Sequence, residues 1–314
     1  MNGRNTVIKG ALSLVVILGI IFFFYRAFQE NWTSIQSYTF KLNFIFISFS
    51  FVSIVITYLL ATYGWFLTLN SLSKNKITFL KSIATVHSSN LTKYIPGKVW
   101  SYALQMYWLV NAGFSKSLIL YVNLITLYVS LITSVILGFV YLVFAPRIIP
   151  LTLTLSLLVA LILFDLLFIK FNSYVFKTFI VILNKIFKRD IKYYETPWKL
   201  IYHLHGINFL SAFCLGIGAY LLCLGIGFDV DHNKMFLVMS SMMIADVIGF
   251  IAVIAPGGVG IRESVMYLML SGVSVSALSL ILPIATRIVS MLVDIFLGTI
   301  SFVLLKNYKK TGSR

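Results

Sequence analysis

Long apolar runs alternate with short polar connectors along this chain of 314 residues. A membrane hydrocarbon core about 30 Å thick is crossed by about 20 apolar residues in a helix. Six runs approach or exceed that length, and the first is the shortest: 10–25, 42–69, 118–144, 148–171, 207–226 and 277–305. The pattern predicts six membrane-spanning helices, the first of them retained rather than cleaved.

Two further apolar stretches, 82–110 and 235–272, are interrupted near their middle. The interruptions are Pro96-Gly97 and Pro256-Gly257-Gly258. Proline removes a backbone donor from a helix, and glycine permits a sharp turn. Each stretch is therefore predicted to form two half-helices that meet at a non-helical tip. We interpret each as a re-entrant hairpin, which enters and leaves the membrane on one side.

The composition is that of an integral membrane protein and excludes a soluble enzyme, a disordered chain and a disulfide scaffold. Hydrophobic residues make up 60% of the chain and charged residues 11%, too few to cover a globular surface. The 25 Lys and Arg outnumber the 9 Asp and Glu, and the basic residues concentrate in connectors on one side of the predicted topology. Because such an excess marks the cytoplasmic side, we predict a multi-pass protein of the cell membrane, with both termini cytoplasmic and no nucleic-acid partner.

The second half of the chain repeats features of the first. A shift of 160 residues superposes a set of prolines, glycines and aromatic residues, in which Pro96, Gly97 and Tyr107 match Pro256, Gly257 and Tyr267. Self-similarity at a fixed shift indicates a duplicated structural unit. Here the unit is a span, a hairpin and a span.

The chain is therefore predicted to be a single all-α membrane domain. Residues 1–41 hold the first span and an outer loop, 42–144 the first unit, 145–206 a connecting span with an amphipathic cytoplasmic segment, and 207–314 the second unit with a basic tail. In the predicted topology the first unit starts outside and the second inside, so the two are inverted repeats. Many transporters are built in this way, although a fold alone does not decide function.

Few ionisable side chains lie inside the predicted membrane segments. Because burying a charge there is costly, each of them indicates a structural or functional role. Arg287 and Asp294 stand seven residues apart on the last span, so both should face the same way. Asp246 precedes the second tip on its half-helix. Asp165 lies near the cytoplasmic end of its span, and we interpret it as a helix-end carboxylate outside any site.

The second tip has the chemistry of an anion site. Gly257, Gly258 and Gly260 free backbone N–H groups just before a predicted helix start, and helix N-termini attract anions. Together with Arg262 they could hold a lipid phosphate, while Lys98 offers a counterpart at the first tip.

A second interpretation of the charged residues stays open. They could simply neutralise one another and lock the two halves together, with no role in binding. The residues concerned are Asp246, Arg262, Glu263, Arg287 and Asp294. Both interpretations predict burial, but only binding also predicts a water-filled cavity.

The sequence predicts no metal site and no cofactor. His203 and His205 are two residues apart and point to different helix faces, while His87 and His232 are isolated in the sequence. The glycine-rich tip lacks the Lys-Ser/Thr pair of a nucleotide-binding loop.

Two motifs resemble those of a known family. They are Asn90-Leu91 through Tyr94-Ile95-Pro96-Gly97-Lys98, and Ala255-Pro256-Gly257-Gly258-Val259-Gly260-Ile261-Arg262-Glu263. Their sequence and spacing resemble the lysylphosphatidylglycerol synthase transmembrane region, or flippase-like, family over nearly the whole chain. Members include membrane regions that move aminoacylated phosphatidylglycerol between leaflets and stand-alone proteins with cell-envelope functions.

The resemblance implies a lipid headgroup path lined by motif residues of both tips, namely Pro96, Gly97, Lys98, Pro256, Gly257, Gly258, Gly260, Arg262 and Glu263. Since only nine residues follow Leu305, we expect a stand-alone member without a transferase domain, so lysyl transfer is not carried over.

The leading hypothesis is a lipid translocase rather than an enzyme. It would move a phosphate-bearing phospholipid or polyprenyl-linked lipid between leaflets, with Arg262 and Lys98 on the phosphate. The remaining charged residues would act in gating or proton coupling, namely Asp246, Glu263, Arg287 and Asp294.

Two alternatives remain at this stage. One is an intramembrane lipid or glycosyl transferase with Glu263 or Asp246 as base, and the other is a non-transporting scaffold of an envelope-synthesis complex. The expected partners are membrane phospholipids or polyprenyl-phosphate lipids, with envelope-biosynthesis enzymes as further candidates.

Overall fold

The computed structural model describes residues 41–94, 100–187, 191–228, 230–252, 258–272 and 276–311, with five single positions between 25 and 36. Throughout these residues the protein is all-helical, as predicted. The helices, numbered here in chain order, are α1 Phe44–Leu72, α2 Phe79–Asn90, α3 Trp100–Val110, α4 Lys116–Phe144, α5 Leu151–Lys170, α6 Asn172–Phe187, α7 Trp198–Gly225, α8 His232–Ile251, α9 Ile261–Ser271 and α10 Ser276–Thr311.

Short polar side chains begin several of these helices. Asn43 Oδ1 accepts a hydrogen bond from the backbone N–H of Ile45 at 3.1 Å, and Ser115 Oγ accepts one from the N–H of Leu118 at 3.2 Å. The first N–H groups of a helix have no partner within it, so such caps fix where α1 and α4 start.

Six helices are long and apolar enough to cross a membrane: α1, α4, α5, α7, α8 and residues Ala277–Leu305 of α10. They indicate a multi-pass membrane protein. Five correspond to predicted spans, although α7 starts at Trp198 rather than near residue 207. The sixth, α8, belongs to a stretch predicted as half of a broken hairpin. The predicted first span, 10–25, lies outside the described residues.

Both stretches with a Pro-Gly pair are broken in the structure. Helix α2 ends in a 3-10 turn at Leu91–Tyr94 before α3 begins, and α8 ends before α9 begins. Helix α2 contacts α3, and α8 contacts α9. The two tips, which include Pro96, Gly97, Lys98, Pro256 and Gly257, lie outside the described residues. That each hairpin enters and leaves on one membrane side stays a prediction.

Eight of the helices form two groups of four, and corresponding helices of the two groups make corresponding contacts. Helices α1, α2, α3 and α4 correspond in order to α7, α8, α9 and α10. Helix α2 packs on α10 as α8 packs on α4, and α1 contacts α4 as α7 contacts α10. This pattern is expected of two units that each contain a span, a hairpin and a span.

Helices α1 and α7 make the most extensive contact in the fold and run antiparallel. Near the start of α1, Ser50 Oγ donates to the carbonyl oxygen of Gly218 at 2.7 Å. Toward its end, a Cβ added at Gly64 would lie 3.4 Å from Leu204 Cδ2. Small residues such as these let helix backbones approach closely in membranes.

The predicted amphipathic segment is helix α6. Its Phe176 and Ile180 are buried and belong to a cluster with Tyr121 and Phe168, whereas Phe179 is 43% exposed. The apolar side chains expected on one face are therefore divided between the helix bundle and the outer surface.

Candidate functional site

A cavity of about 470 Å³, with charged and hydroxyl side chains among its lining residues, lies between the bundle helices. Its size falls within the roughly 300–1,000 Å³ typical of small-molecule sites. The helices that contribute to its wall belong to both groups of four, namely α1, α2, α3, α4, α7, α8, α9 and α10. The charged residues of its lining are Lys93, Asp246, Arg262, Arg287 and Asp294.

Arg262 and Asp246 form an ion pair between the two helices of the second hairpin. Arg262 lies in the first turn of α9, and its Nη1 is 2.8 Å from Asp246 Oδ1 on α8. The Arg262 side chain is 11% exposed and that of Asp246 is 32% exposed, so the carboxylate is the more accessible partner. Gly249 permits this approach, because a Cβ there would lie 2.9 Å from Arg262 Cβ.

The carboxylate of Glu263 lies at the start of α9, where the helix would otherwise attract an external anion. Its Oε2 accepts a hydrogen bond from the backbone N–H of Gly260 at 2.5 Å, which is the capping interaction expected of a carboxylate at the third helical position. Its Oε1 lies 3.8 Å from Arg287 Nε on α10. The helix start that the sequence predicted to attract an external anion therefore already contains a buried carboxylate.

Lys93 and Asp294 form the third ion pair and connect the first hairpin to α10. Lys93 Nζ lies 2.9 Å from Asp294 Oδ1 and 2.7 Å from Oδ2. The Asp294 side chain has no exposed surface, whereas that of Lys93 is 33% exposed. The ammonium group also lies 5.4 Å from the centre of the Tyr58 ring, within the range of a cation–π contact.

The three pairs bring together most of the predicted charged residues. Arg287 and Asp294 both line the cavity, as their seven-residue spacing predicts. Lys93 precedes the first tip in the sequence, and no spacing pattern connects it with Asp294. Lys98 and the predicted tip residues Pro96, Gly97, Pro256 and Gly257 lie outside the described residues.

The uncharged part of the cavity wall is rich in hydroxyl and amide groups that the sequence analysis missed. One row lies on α4, where the polar side chains recur every three or four residues and hence share a face. Its members are Asn123, Thr126, Ser130 and Ser134. This periodicity, visible in an otherwise apolar predicted span, is the feature that could have identified the wall.

The structure corrects the prediction that Asp165 is a helix-end carboxylate. Asp165 is 7% exposed and lines a separate crevice of about 370 Å³ between α4, α5 and α7. Its Oδ1 accepts a hydrogen bond from the Tyr128 hydroxyl at 3.0 Å, and its Oδ2 lies 3.4 Å from His205 Nε2. It is thus a buried, paired carboxylate rather than one at a solvated helix end, because two neighbouring helices supply its partners.

Among the residues that the structure describes, no three His, Cys, Asp or Glu side chains lie close enough together to hold a metal ion. The charged side chains that line the central cavity are those of Lys, Arg and Asp. Such groups can bind phosphate or exchange partners with one another.

Comparison with known proteins gives a family and no nearer relative. No curated protein and no solved structure matches the chain. Residues 10–298 match the family model described as the lysylphosphatidylglycerol synthase TM region. Because this match covers most of its length, the chain belongs to the lysylphosphatidylglycerol synthase TM region family.

Proposed function

We propose that this protein is a lipid translocase, which moves a phosphate-bearing phospholipid or polyprenyl-linked lipid between the leaflets of the cell membrane. The family and the multi-pass helical fold indicate a membrane protein with a lipid-related function. The proposal adds the transport step and the headgroup path.

The cavity bounded by ion pairs is the observation that carries the proposal. Three cations and three carboxylates lie in or beside one cavity inside a bundle of membrane-spanning helices. Ionisable residues are costly at membrane depth, and where they occur they usually face a substrate or ion pathway. A lipid headgroup crossing the membrane needs such a polar environment, while its acyl chains can remain in the bilayer.

Exchange of partners is the binding step that the geometry favours. A lipid phosphate would replace the Asp246 carboxylate on the Arg262 guanidinium, which can bind two phosphate oxygens at once. Asp246 is the partner better placed to leave, because about a third of its side chain is exposed. Lys98 would supply the second cation from the first tip, and Glu263, Arg287 and Asp294 would respond as gating groups.

Two inverted repeats would let the same cavity open alternately to either side. The antiparallel contact of α1 with α7 supports this arrangement, as does the contact pattern that is unchanged when the two groups of helices are exchanged. The proposal also includes that both hairpins are re-entrant and that both termini are cytoplasmic.

Leaflet-resolved transport in proteoliposomes tests the function. Acyl-labelled phospholipids and polyprenyl phosphates would be followed with wild type, Arg262→Ala and Lys98→Ala. Arg147→Ala is the matched control, because this arginine is exposed in a connector. We expect headgroup translocation to be lost with the first two variants and kept with the control. Size-exclusion profiles would show that all variants stay folded.

The ion pairs also favour one rival, a scaffold in which the charges only lock the helices together. The double variant Arg262→Asp/Asp246→Arg separates the two, because it keeps a pair but moves the cation to the other helix. A scaffold would tolerate this exchange, whereas a phosphate site would not. Full activity of the exchanged protein, or normal lipid movement by Arg262→Ala, would contradict the proposed role of Arg262.

A further inference from the structure

We propose that Asp165 and His205 form a proton-binding site, through which a proton gradient drives the movement of lipid between the leaflets. The coupling step rests on the proposed translocase function. The proton site itself is argued from the second crevice, which lies between α4, α5 and α7 and outside the headgroup cavity.

The described helices contain four carboxylates, and three of them face a fixed cation. These three are Asp246, Glu263 and Asp294, and their respective partners are Arg262, Arg287 and Lys93. Arginine and lysine side chains ordinarily keep their proton throughout the physiological pH range, and a neighbouring cation favours the ionised form of a carboxyl group. Such pairs therefore suit charge neutralisation rather than reversible proton binding.

Asp165 is the fourth carboxylate, and its partners carry no fixed charge. Its Oδ1 accepts a hydrogen bond from the Tyr128 hydroxyl at 3.0 Å, and its Oδ2 lies 3.4 Å from His205 Nε2. Imidazole is the side-chain group whose charge ordinarily changes between about pH 5 and 8. The carboxylate and the imidazole can together bind one proton, which removes their net negative charge. Because net charge is costly at membrane depth, this proton changes the stability of the helix packing around it.

Thr133 can hold the imidazole ring in either protonation state. Its hydroxyl oxygen lies 2.9 Å from His205 Nδ1. A hydroxyl can donate to an unprotonated ring nitrogen and accept from a protonated one. Proton uptake therefore does not require the ring to leave its position.

The crevice gives the pair a route to water. The Asp165 and His205 side chains are 10% and 17% exposed. Both line a space of about 370 Å³, which is enough for several water molecules at about 30 Å³ each.

The other groups around the pair do not compete for its proton. Tyr128 on α4 and Tyr202 on α7 are the titratable groups that face the pair from the neighbouring described helices, and a tyrosine ordinarily keeps its proton below about pH 10. No lysine or arginine of the described residues lines the crevice. The charge of the site is therefore set by its own proton.

The proton site and the headgroup cavity share two helices that contact each other, α4 and α7. On α7, His205 lines the crevice and Ser211 lines the cavity. On α4, Thr133 lines the crevice and Ser130 lines the cavity. A proton bound between α5 and α7 changes the strength of the link between them, and thereby the packing of α7 beside the cavity.

Transport driven by a pH gradient tests the coupling, with the full chain in proteoliposomes and the membrane potential clamped at zero. The probes are acyl-labelled phosphatidylglycerol and polyprenyl phosphate, under a gradient of about one pH unit applied in each direction. One proton coupled to one lipid converts each pH unit into a leaflet ratio of up to about tenfold. We expect wild type to change the leaflet ratio of at least one probe by about threefold to tenfold.

Asp165→Asn should lose this effect of the gradient, because asparagine keeps an acceptor for the Tyr128 hydroxyl but binds no proton. His203→Gln is the control and should keep the wild-type leaflet ratio. This exposed histidine precedes His205 on the same helix, and its Nδ1 lies 2.7 Å from the carbonyl oxygen of Lys199. A carboxylate that only holds the helices together would give the same leaflet ratio with aspartate and with asparagine. Size-exclusion profiles would show that both variants stay folded.

Nuclear magnetic resonance of the histidine rings tests the proton site without any lipid movement. Protein with ¹⁵N-labelled imidazoles would be titrated in detergent between about pH 5 and 8, and the His205 signal is the one that His205→Gln removes. We expect a transition of this signal within the range. Asp165→Asn should shift it by about one pH unit or more, because an adjacent carboxylate has an effect of this size, whereas His203→Gln should leave it in place.

The outcomes separate the proton site from the function on which its coupling rests. Absence of a His205 transition, or a transition that Asp165→Asn leaves in place, overturns the proton site. Equal leaflet ratios for wild type and Asp165→Asn overturn the coupling, and they leave the translocase standing if lipid moves. If folded wild-type protein moves neither probe, the translocase proposal fails and the coupling fails with it, while the His205 transition still decides the proton site.

Discussion

Thr57 and Ser211 exchange hydrogen bonds across the contact between α1 and α7. The Ser211 hydroxyl donates to the carbonyl oxygen of Thr57 at 2.9 Å, and the Thr57 hydroxyl lies 3.2 Å from the carbonyl oxygen of Ser211 and 3.0 Å from that of Ser53 in its own helix. Both residues line the central cavity. Because α1 and α7 hold corresponding places in the two groups of helices, this pair joins corresponding helices of the two groups.

Removing both hydroxyls should weaken the α1–α7 contact. Interhelical hydrogen bonds in membrane proteins contribute about 0.6 kcal/mol each on average, so Thr57→Val/Ser211→Ala should lose about 1 kcal/mol of unfolding free energy in detergent. Ser156→Ala is the control, because this exposed hydroxyl donates to Thr152 of its own helix at 2.8 Å. A loss no larger than that of the control would contradict a stabilising role for the reciprocal pair.

Gly249 should be required for the close approach of α8 and α9. Gly249→Ala would place a Cβ 2.9 Å from Arg262 Cβ, so the helices must separate. Overpacking of this kind costs about 1–3 kcal/mol, measurable by chemical unfolding in detergent. In contrast, a Cβ at Gly206 meets nothing within 4 Å, and Gly206→Ala should be neutral or stabilising by up to about 1 kcal/mol. Equal stability of the two variants would refute the steric argument.

Lys93 should stabilise the fold mainly by compensating Asp294. Lys93→Met removes the cation from a carboxylate without exposed surface, and breaking such a pair costs about 3–5 kcal/mol. The double variant Lys93→Met/Asp294→Asn removes both charges and should recover most of that loss. The thermal unfolding midpoint of the four proteins of this cycle measures the effect. Additive losses would show that the two residues act independently.

Asp165 should be coupled to Tyr128 through the hydrogen bond that joins α5 to α4. Asp165→Leu leaves the Tyr128 hydroxyl without its acceptor, and an unsatisfied buried donor costs about 1–3 kcal/mol. Adding Tyr128→Phe removes that donor, so the double variant should be more stable than the sum of the single losses implies. Unfolding free energies of the two single variants and the double variant provide the measurement. If the losses add, the hydrogen bond contributes nothing.

The breaks in the two hairpins could be predicted because they depend on local backbone chemistry. A Pro-Gly pair in an apolar run interrupts a helix wherever the run is placed in the fold. The length of α8 was missed for a related reason. Its 20 residues from His232 to Ile251 contain no proline, whereas the whole stretch 235–272 was predicted as one interrupted segment.

The partners of the buried charges could not be predicted because they come from distant parts of the chain. Lys93 and Asp294 are 201 positions apart, and no spacing rule connects them. Asp165 was misassigned for the same reason, since Tyr128 and His205 lie on other helices. By contrast, the shared direction of Arg287 and Asp294 follows from helical periodicity within one span, and the structure confirms it.

The topology of the second hairpin gives the last prediction. Helix α8 has 20 residues and α9 has 11, which correspond to lengths of about 30 Å and 16 Å. Helix α9 alone is therefore too short to cross a membrane. A re-entrant hairpin would leave the start of α8 and the connector after α9 on the same side of the membrane. The distribution of basic residues predicts that this is the outer side.

Cysteine labelling with a membrane-impermeant maleimide tests this arrangement. Lys234→Cys at the start of α8 and Ser271→Cys at the end of α9 would be made in a chain with Cys214 and Cys223 replaced by serine. Lys74→Cys is the cytoplasmic reference. We expect the first two to react from outside and the reference only after the inner face is opened, because a hairpin returns the chain to the side from which it came. Reaction of Lys234→Cys and Ser271→Cys from opposite faces would make the α8–α9 segment a full crossing and place the basic C-terminal tail outside the cell.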